Sequence, residues 1–355
     1  RDTFLSNVAH GSRFMYSAFC AFSCEDTINF FENKGVPLKT ERGNRVFPVS
    51  DKAVDIVDAL SSVTKLNNVS IINSRVSEIT TEEGIATGLK TEDGTEYFFD
   101  CIILATGGKS YSVTGSTGDG YIMAKKLGHK ITTLRPSLVP LVCHQGFCSY
   151  LCRKKKKNVT LSLYEEDRKK PVFCELGEMM FTDFGITGPL VLSASAHIEK
   201  IENKKYTAVI DLKPALSKEM LDKRILRDFE AESNKDFANS LDKLLPQRLV
   251  SVIVKNSGVD PKKKVNSITR EERESLVNSL KNLKLDIVGF RPIEEAVVTS
   301  GGVDLKEISP STMESKLIKG LYFAGEIMNI DAYTGGFNLQ IAFSTGFLAG
   351  KSSVL

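Results

Sequence analysis

A short apolar run, Asp100-Cys-Ile-Ile-Leu-Ala105, ending in Thr106-Gly107-Gly108, constrains this chain more than any other feature. A strand with one wet face alternates polar and apolar residues; this one does not. It therefore reads as a central parallel strand buried on both faces. Parallel strands need long crossover connections, usually helical, so the fold class is α/β. Open parallel sheets bind ligands beyond the carboxyl ends of their strands, and glycine there lets the backbone approach a ligand closely.

Three further segments repeat that theme. Thr114-Gly-Ser-Thr-Gly-Asp-Gly120 opens a helix predicted over 121–127 and closed by Gly128, and a helix start offers free N–H groups to an anion. Leu321-Tyr-Phe-Ala-Gly325-Glu326 is a short apolar strand ending in glycine and a carboxylate able to accept hydrogen bonds from sugar or ribityl hydroxyls. Thr334-Gly335-Gly336-Phe337-Asn338-Leu339-Gln340 leads into a helix through Ala349, whose Ala342, Gly346 and Gly350 allow close packing on a sheet. The start of that helix carries roughly half a positive charge, which suits the edge of a flavin that becomes negative on reduction.

The other chemistries fit less well. Gly115-Ser-Thr-Gly118 lacks the spacing of a nucleophile elbow, and Gly346 to Ser352 has one residue too few for a phosphate loop. Cys143, His144, Cys148 and Cys152 crowd within ten residues, but no second knuckle follows, so no metal site is expected. Seven cysteines without a secretory signal favour reduced thiols and a cytoplasmic setting. With Lys+Arg 47 against Asp+Glu 44, the net charge is only +3, which argues against nucleic acid as a general partner. The basic run at 153–157 reads as a solvated hairpin loop, and no apolar run is long enough to span a membrane.

A chain of 355 residues exceeds a single core. Phe4 to Phe31 has helical spacing, Ser50 to Leu60 a capped helix, and 69–72, 75–79, 85–90 and 96–99 short strands. The texture turns to short strands from about 134 to 210 and to charged helices from 217 to 285. Residues 1–133 and 297–355 are thus expected to form one domain, interrupted by an inserted domain at 134–296.

The stretches Ala105-Thr-Gly-Gly-Lys-Ser-Tyr111, Thr114 to Tyr121, Gly177 to Pro189, Thr299-Ser-Gly-Gly-Val303, Thr312 to Leu317, Gly320 to Glu326 and Thr334 to Gln340 with Ser344-Thr-Gly346 resemble the BaiN-like family of NAD(P)/FAD-dependent, aminoacetone-oxidase-like oxidoreductases. The likeness covers almost the whole chain. It implies a glutathione-reductase-like FAD-binding domain carrying an inserted, mostly β domain with a helical appendage. It implies FAD contacts at Arg45, Phe47, Pro48 and Val76, at Thr106, Gly107 and Gly108, at Gly325 and Glu326, and at Gly335, Gly336, Phe337, Asn338, Leu339 and Gln340. The first four rest on the resemblance alone. Family members begin with a strand and Gly-x-Gly-x-x-Gly, a motif found nowhere in these residues. The expectation is that the natural protein carries that first βαβ unit before Arg1.

The implied function is hydride transfer between a small organic substrate and FAD, coupled to NAD(P)H or another acceptor. Gly177 to Pro189 is a candidate cover for the substrate, its alternative being a glycine-rich interdomain turn. Tyr333 and Thr187 are polar candidates near the flavin, without an assigned acid or base. Two rivals remain: a nucleic-acid-binding or RNA-modifying relative, suggested by Lys154 to Lys157, and a non-catalytic fragment, suggested by the absent glycine motif.

Overall fold

The computed structural model describes residues 2–41, 43–66, 69–152, 155–199 and 201–354. The chain is mixed α/β and divides into two compact units, residues 1–137 with 292–355, and residues 138–291. Among the described residues no helix is long and apolar enough to cross a membrane.

The first segment runs α1 (Asp2–Leu5), β1 (Val8–His10), α2 (Tyr16–Ala21), α3 (Cys24–Asn33), β2 (Leu38–Glu41), β3 (Arg45–Pro48) and α4 (Ala53–Leu66). It continues through β4 (Val76–Glu82), β5 (Ile85–Thr91), β6 (Glu96–Phe98), β7 (Ile102–Leu104), α5 (Asp119–Lys126) and β8 (Arg135–Ser137). The middle segment contributes β9 (Leu141–Cys143), α6 (Phe147–Tyr150), β10 (Lys155–Glu165), β11 (Phe173–Phe181), β12 (Gly185–Thr187) and α7 (Pro189–Ser195). It ends with β13 (Tyr206–Asp211), α8 (Lys218–Glu230), α9 (Gln247–Ser257), α10 (Arg270–Lys281) and β14 (Leu283–Phe290). The last segment adds β15 (Val298–Ser300), β16 (Leu321–Phe323), β17 (Asp331–Ala332) and α11 (Phe337–Ser352).

In the discontinuous unit β7 and β16 run parallel, with Leu321 opposite Ile102 and Phe323 opposite Leu104. Ile102 and Leu104 are buried, but Ile103 is 40% exposed, so β7 is covered on one face and not on both as its apolar run predicts. Its core joins these strands to Tyr121, Met123 and Ala124 of α5 and to Ile341, Leu348 and Ala349 of α11. Helical spacing between Phe4 and Phe31 predicts continuous helix; the chain instead breaks at Val8–His10 to pair with β17. Ser23 then restarts a helix through a capping box with Asp26. Residues 69–72, read as a strand, form none, and Val69, Ile71 and Ile72 are exposed.

The middle unit is a closed barrel in the order β10-β11-β12-β9-β14-β13. Alternation builds its interior: Val159, Leu161 and Leu163 from β10, Ala208 and Ile210 from β13, Leu283 and Leu285 from β14. Leu221 and Ile225 of α8, Ile253 of α9 and Leu276 and Leu280 of α10 belong to the same core. The helical pattern expected through Leu285 stops at α10, because Leu283, Leu285 and Ile287 alternate with polar residues and enter the barrel. Of the basic run, Arg153 and Lys154 lie outside the described residues. Lys155 and Lys156 are strand and not loop, paired with Met180 and Met179.

His129 gives the discontinuous unit a pH dependence. It is buried, its Nδ1 3.0 Å from Glu307 Oε2 and its Nε2 2.9 Å from Ser315 Oγ. Ser315 Oγ already accepts the amides of Leu317 and Ile318, so its proton goes to Nε2 and His129 is neutral with the hydrogen on Nδ1. Burial pushes the pKa of His129 down, against the pull of Glu307. The unfolded chain therefore binds this proton first, and stability present above about pH 6.5 is lost on acidification, by up to about 1.4 kcal/mol per pH unit. Thermal denaturation from pH 7.5 to 5.5 checks this: His129→Gln should flatten the acid slope, and an unchanged slope would assign it to other groups.

Candidate functional site

Because β7 and β16 run the same way, their carboxyl ends emerge side by side and bring Thr106 to Gly108 next to Gly325 and Glu326. The chain then locks these ends with polar contacts. Thr299, fully buried on β15, accepts the N–H groups of Lys109 and Ser110 on its Oγ1 at 2.8 and 3.0 Å. Its own N–H donates to Glu326 Oε1 at 2.6 Å, and the Ser110 hydroxyl donates to the same oxygen at 3.2 Å. Glu326, the carboxylate expected to accept from sugar or ribityl hydroxyls, thus uses its Oε1 to hold two loops together. Burial raises the pKa of Glu326 against those hydrogen bonds. Tyr121 donates to the Glu326 carbonyl at 3.4 Å, and burial followed by the Glu326 charge pushes its phenol up.

Space at this edge is reserved for backbone. A methyl at Gly108 would lie 2.3 Å from Glu326 Oε1 and 2.5 Å from Thr299 Oγ1, and one at Gly120 would lie 2.0 Å from Thr106 Oγ1. That second contact seats the first turn of α5 directly on the end of β7. Asp119 in this turn takes two hydrogen bonds from Arg75, at 2.8 and 2.9 Å, beside Val76 at the start of β4.

The remaining candidate segment is the turn into α11. Gly335 and Gly336 have φ of 128° and 91°, values that side chains avoid, and nothing lies within 4 Å of where a Gly336 side chain would begin. Gly336 caps α11, a helix of 16 residues, without offering its first amides a side-chain acceptor. Asn338 secures the turn by accepting from Ala332 N–H at 2.9 Å and donating to Ala332 C=O at 2.8 Å. Thr345 Oγ1 accepts the Gly325 N–H at 3.0 Å and so ties α11 to the end of β16.

The sequence-predicted residues therefore fall into two sets. Thr106 to Gly108 and Gly325 with Glu326 come together at the ends of β7 and β16, while Gly335 to Gln340 open α11, which is fastened to Ala332 at its start and to Gly325 through Thr345 further on. The Gln340 side chain is spent internally, on Thr27, Ser344 and the Phe22 carbonyl. Arg45, Phe47 and Pro48 lie on the β2–β3 hairpin, where Arg45 sits 5.7 Å over the Phe47 ring and pairs with Glu41. That hairpin reaches the rest through a small cluster of Phe31, Leu38, Ala59 and Phe343 of α11. Thr187 belongs to the barrel, on β12, and Gly177 to Pro189 comprises the end of β11, β12 and the start of α7. Ser110 and Thr299 were not foreseen; the only signal was their place inside matching motifs.

Glycine at the ends of β7 and β16 and at the start of α11 is the kind of backbone that lets a ligand approach closely. The chain is 28% identical over 337 residues to the 3-dehydro-bile acid delta(4,6)-reductase of Clostridium scindens, covering 94% of this chain and 80% of that protein. It is 28% identical over 356 residues to the ribosomal RNA dihydrouridine synthase of Escherichia coli, covering 98% and 84%. Among solved structures, a quinol-fumarate reductase matches at TM-score 0.44 and 13% identity, over 99% of this chain and 60% of that one. GidA of Aquifex aeolicus matches at TM-score 0.37 and 13% identity, over 96% and 54%. The chain spans little more than half the length of these two structures. The profile of the HI0933-like protein Rossmann domain matches residues 1–352, and the chain belongs to that family.

Proposed function

We propose that this chain is a FAD-dependent oxidoreductase of the cytoplasm that moves a hydride between flavin and a small organic substrate, with NAD(P)H as the electron partner. The observation that carries this reading is that the ends of β7 and β16 bring Thr106 to Gly108 beside Gly325 and Glu326, with α11, which Gly335 and Gly336 open, tied to Gly325 through Thr345. Bound FAD would supply the redox chemistry by carrying two electrons and a proton. The residues' part is to hold it: the Gly107 and Gly108 backbone against its phosphate or sugar, the amides at the start of α11 against the edge that turns negative. Arg45, Phe47, Pro48 and Val76 complete the proposed contacts. The discontinuous unit is then the FAD-binding domain and the barrel unit the inserted domain.

The relatives' names narrow the substrate class. A 3-dehydro delta(4,6) steroid and a uridine ring both present a C=C bond conjugated to a carbonyl, and in both cases the named product or activity is its reduction. We take the substrate here to be such a conjugated alkene. A specific observation favours a second reading, in which the alkene is a uracil base in RNA: the dihydrouridine synthase of E. coli matches 98% of this chain.

The test is a visible spectrum and a melting curve of the purified protein with and without FAD. A flavin spectrum is expected, with about 2.7 kcal/mol of added stability when FAD stands at 100 times its Kd. A colourless protein whose melting temperature ignores FAD would overturn the proposal. Retention on RNA that weakens steeply with salt would favour the uracil reading.

A further inference from the structure

Asp331 on β17 is completely buried and surrounded by donors. Its Oδ1 lies 2.7 Å from His10 Nδ1, and it accepts the hydroxyls of Ser300 at 3.1 Å and Ser137 at 3.0 Å. On the far side of the imidazole, Arg135 Nη2 lies 3.4 Å from His10 Nε2, while Arg135 Nε donates to Ser300 Oγ at 3.4 Å. These partners fix the tautomer. A carboxylate only accepts and a guanidinium only donates, so Nδ1 carries the hydrogen, Nε2 offers its lone pair, and the ring is neutral. Four strands, β1, β8, β15 and β17, deliver these groups, and His10 and Asp331 are 321 positions apart.

His129 shows what a histidine used only for packing looks like here: buried at 2%, with both nitrogens on neighbours inside the core. The His10 side chain is 28% exposed while its carboxylate is sealed at 0%. The cluster also sits at the proposed flavin edge, because Ala332, the residue after Asp331, is the one that Asn338 fastens to the first turn of α11. Charged groups that face it include Arg135 and Asp331, and the Asp331 charge acts through space to help raise the pKa of Glu326.

We infer that His10 gives a proton to, or takes one from, the substrate carbon next to the one that exchanges hydride, with Asp331 as its positioning residue. This inference rests on the flavoenzyme reading above. In the reducing direction His10 begins as imidazolium. Bound FAD in its reduced form would supply hydride for a new C–H bond at the β-carbon of the conjugated alkene, which would send the C=C π pair to the α-carbon. That pair takes the Nε2 proton, the N–H bond breaks, and its electrons stay on Nε2. The substrate would gain two electrons, which the bound FAD would supply. The state left behind is the one the structure holds: Nδ1–H on Asp331, and the new Nε2 lone pair accepting from Arg135. Oxidation of a saturated substrate runs the same steps backward.

The experiment uses FAD-loaded full-length protein, reduced anaerobically with dithionite and then mixed with 2-cyclohexenone, uridine or ferricyanide while flavin absorbance is followed. Ferricyanide takes electrons alone and needs no proton donor. His10→Asn keeps a donor for Asp331 but has no titrating nitrogen. Reoxidation by the conjugated probe should slow about 100-fold, with the ferricyanide rate and melting temperature near wild type. Long-range nitrogen NMR on the four histidines, assigned by the same variant, should show His10 as the Nδ1–H tautomer. Wild-type rates in His10→Asn with the conjugated probes, or an Nε2–H tautomer, overturn the inference and leave the flavoenzyme reading standing. Flavin that ferricyanide oxidises and neither conjugated probe touches overturns the conjugated-alkene chemistry on which the inference stands. A protein that takes up no flavin overturns both.

Discussion

Gly108→Ala should destabilise the discontinuous unit by about 3 kcal/mol, although alanine is ordinarily the mildest of substitutions. The added methyl would stand 2.3 Å from Glu326 Oε1, 2.5 Å from Thr299 Oγ1 and 2.8 Å from Thr299 Cβ. None of the three can easily give way. Thr299 is fixed by strand pairing to Pro136, and its hydroxyl and amide hold Lys109, Ser110 and Glu326. Relief means breaking those bonds inside the protein, where each costs about 1 kcal/mol or more. For a unit of this size the melting temperature should fall by about 6–12 °C, and FAD should no longer be retained through gel filtration. Gly346→Ala is the control. It lies within α11 with nothing inside 4 Å of the new methyl, and should stabilise the helix by about 0.5–1 kcal/mol. Equal effects at the two glycines would mean that the reserved space beside Glu326 has no energetic content.

That contrast also marks how far the sequence could be read. Gly108 was legible as the glycine end of an apolar strand, and the parallel partner β16 announced itself in the same way. The start of α11 was legible from its paired glycines. What could not be read was any feature set by a distant partner. Helical spacing from Phe4 onward gave no warning that Val8 to His10 would leave to pair with Asp331 and Ala332. The apolar residues of 69–72 had the composition of a strand but no neighbour to pair with, and backbone without a ladder does not form one. Glu326 looked like a ligand-facing carboxylate by its place at a strand end. Nothing local showed that Thr299, 27 positions earlier, also donates its N–H to one of the carboxylate's oxygens, Oε1. The His10, Arg135 and Asp331 cluster left no local trace at all, since each member is ordinary until β1 meets β17 and β8 meets β15.

Asn338 offers the sharper separation of fold from function, because stability and FAD affinity should rank its variants differently. Asn338→Ala removes both hydrogen bonds to Ala332, each worth about 1–1.5 kcal/mol, so the turn into α11 should lose about 2–3 kcal/mol. Asn338→Asp keeps an acceptor for the Ala332 N–H but sets a carboxylate oxygen against the Ala332 carbonyl. A negative charge in the first turn of a helix recovers about 0.5–1 kcal/mol from the dipole, so the aspartate variant should be more stable than the alanine variant and less stable than wild type. At the cofactor the order reverses. The amides of that turn are the groups proposed to meet the negative edge of the flavin, and a carboxylate beside them both competes for their field and repels the ligand. FAD should therefore bind wild type best, Asn338→Ala next and Asn338→Asp worst, when Kd is read from quenching of flavin fluorescence. If FAD affinity instead follows melting temperature, with the aspartate variant ahead of the alanine variant, then the turn acts only through the stability of the fold. The positive end of α11 would then have no part in holding the cofactor.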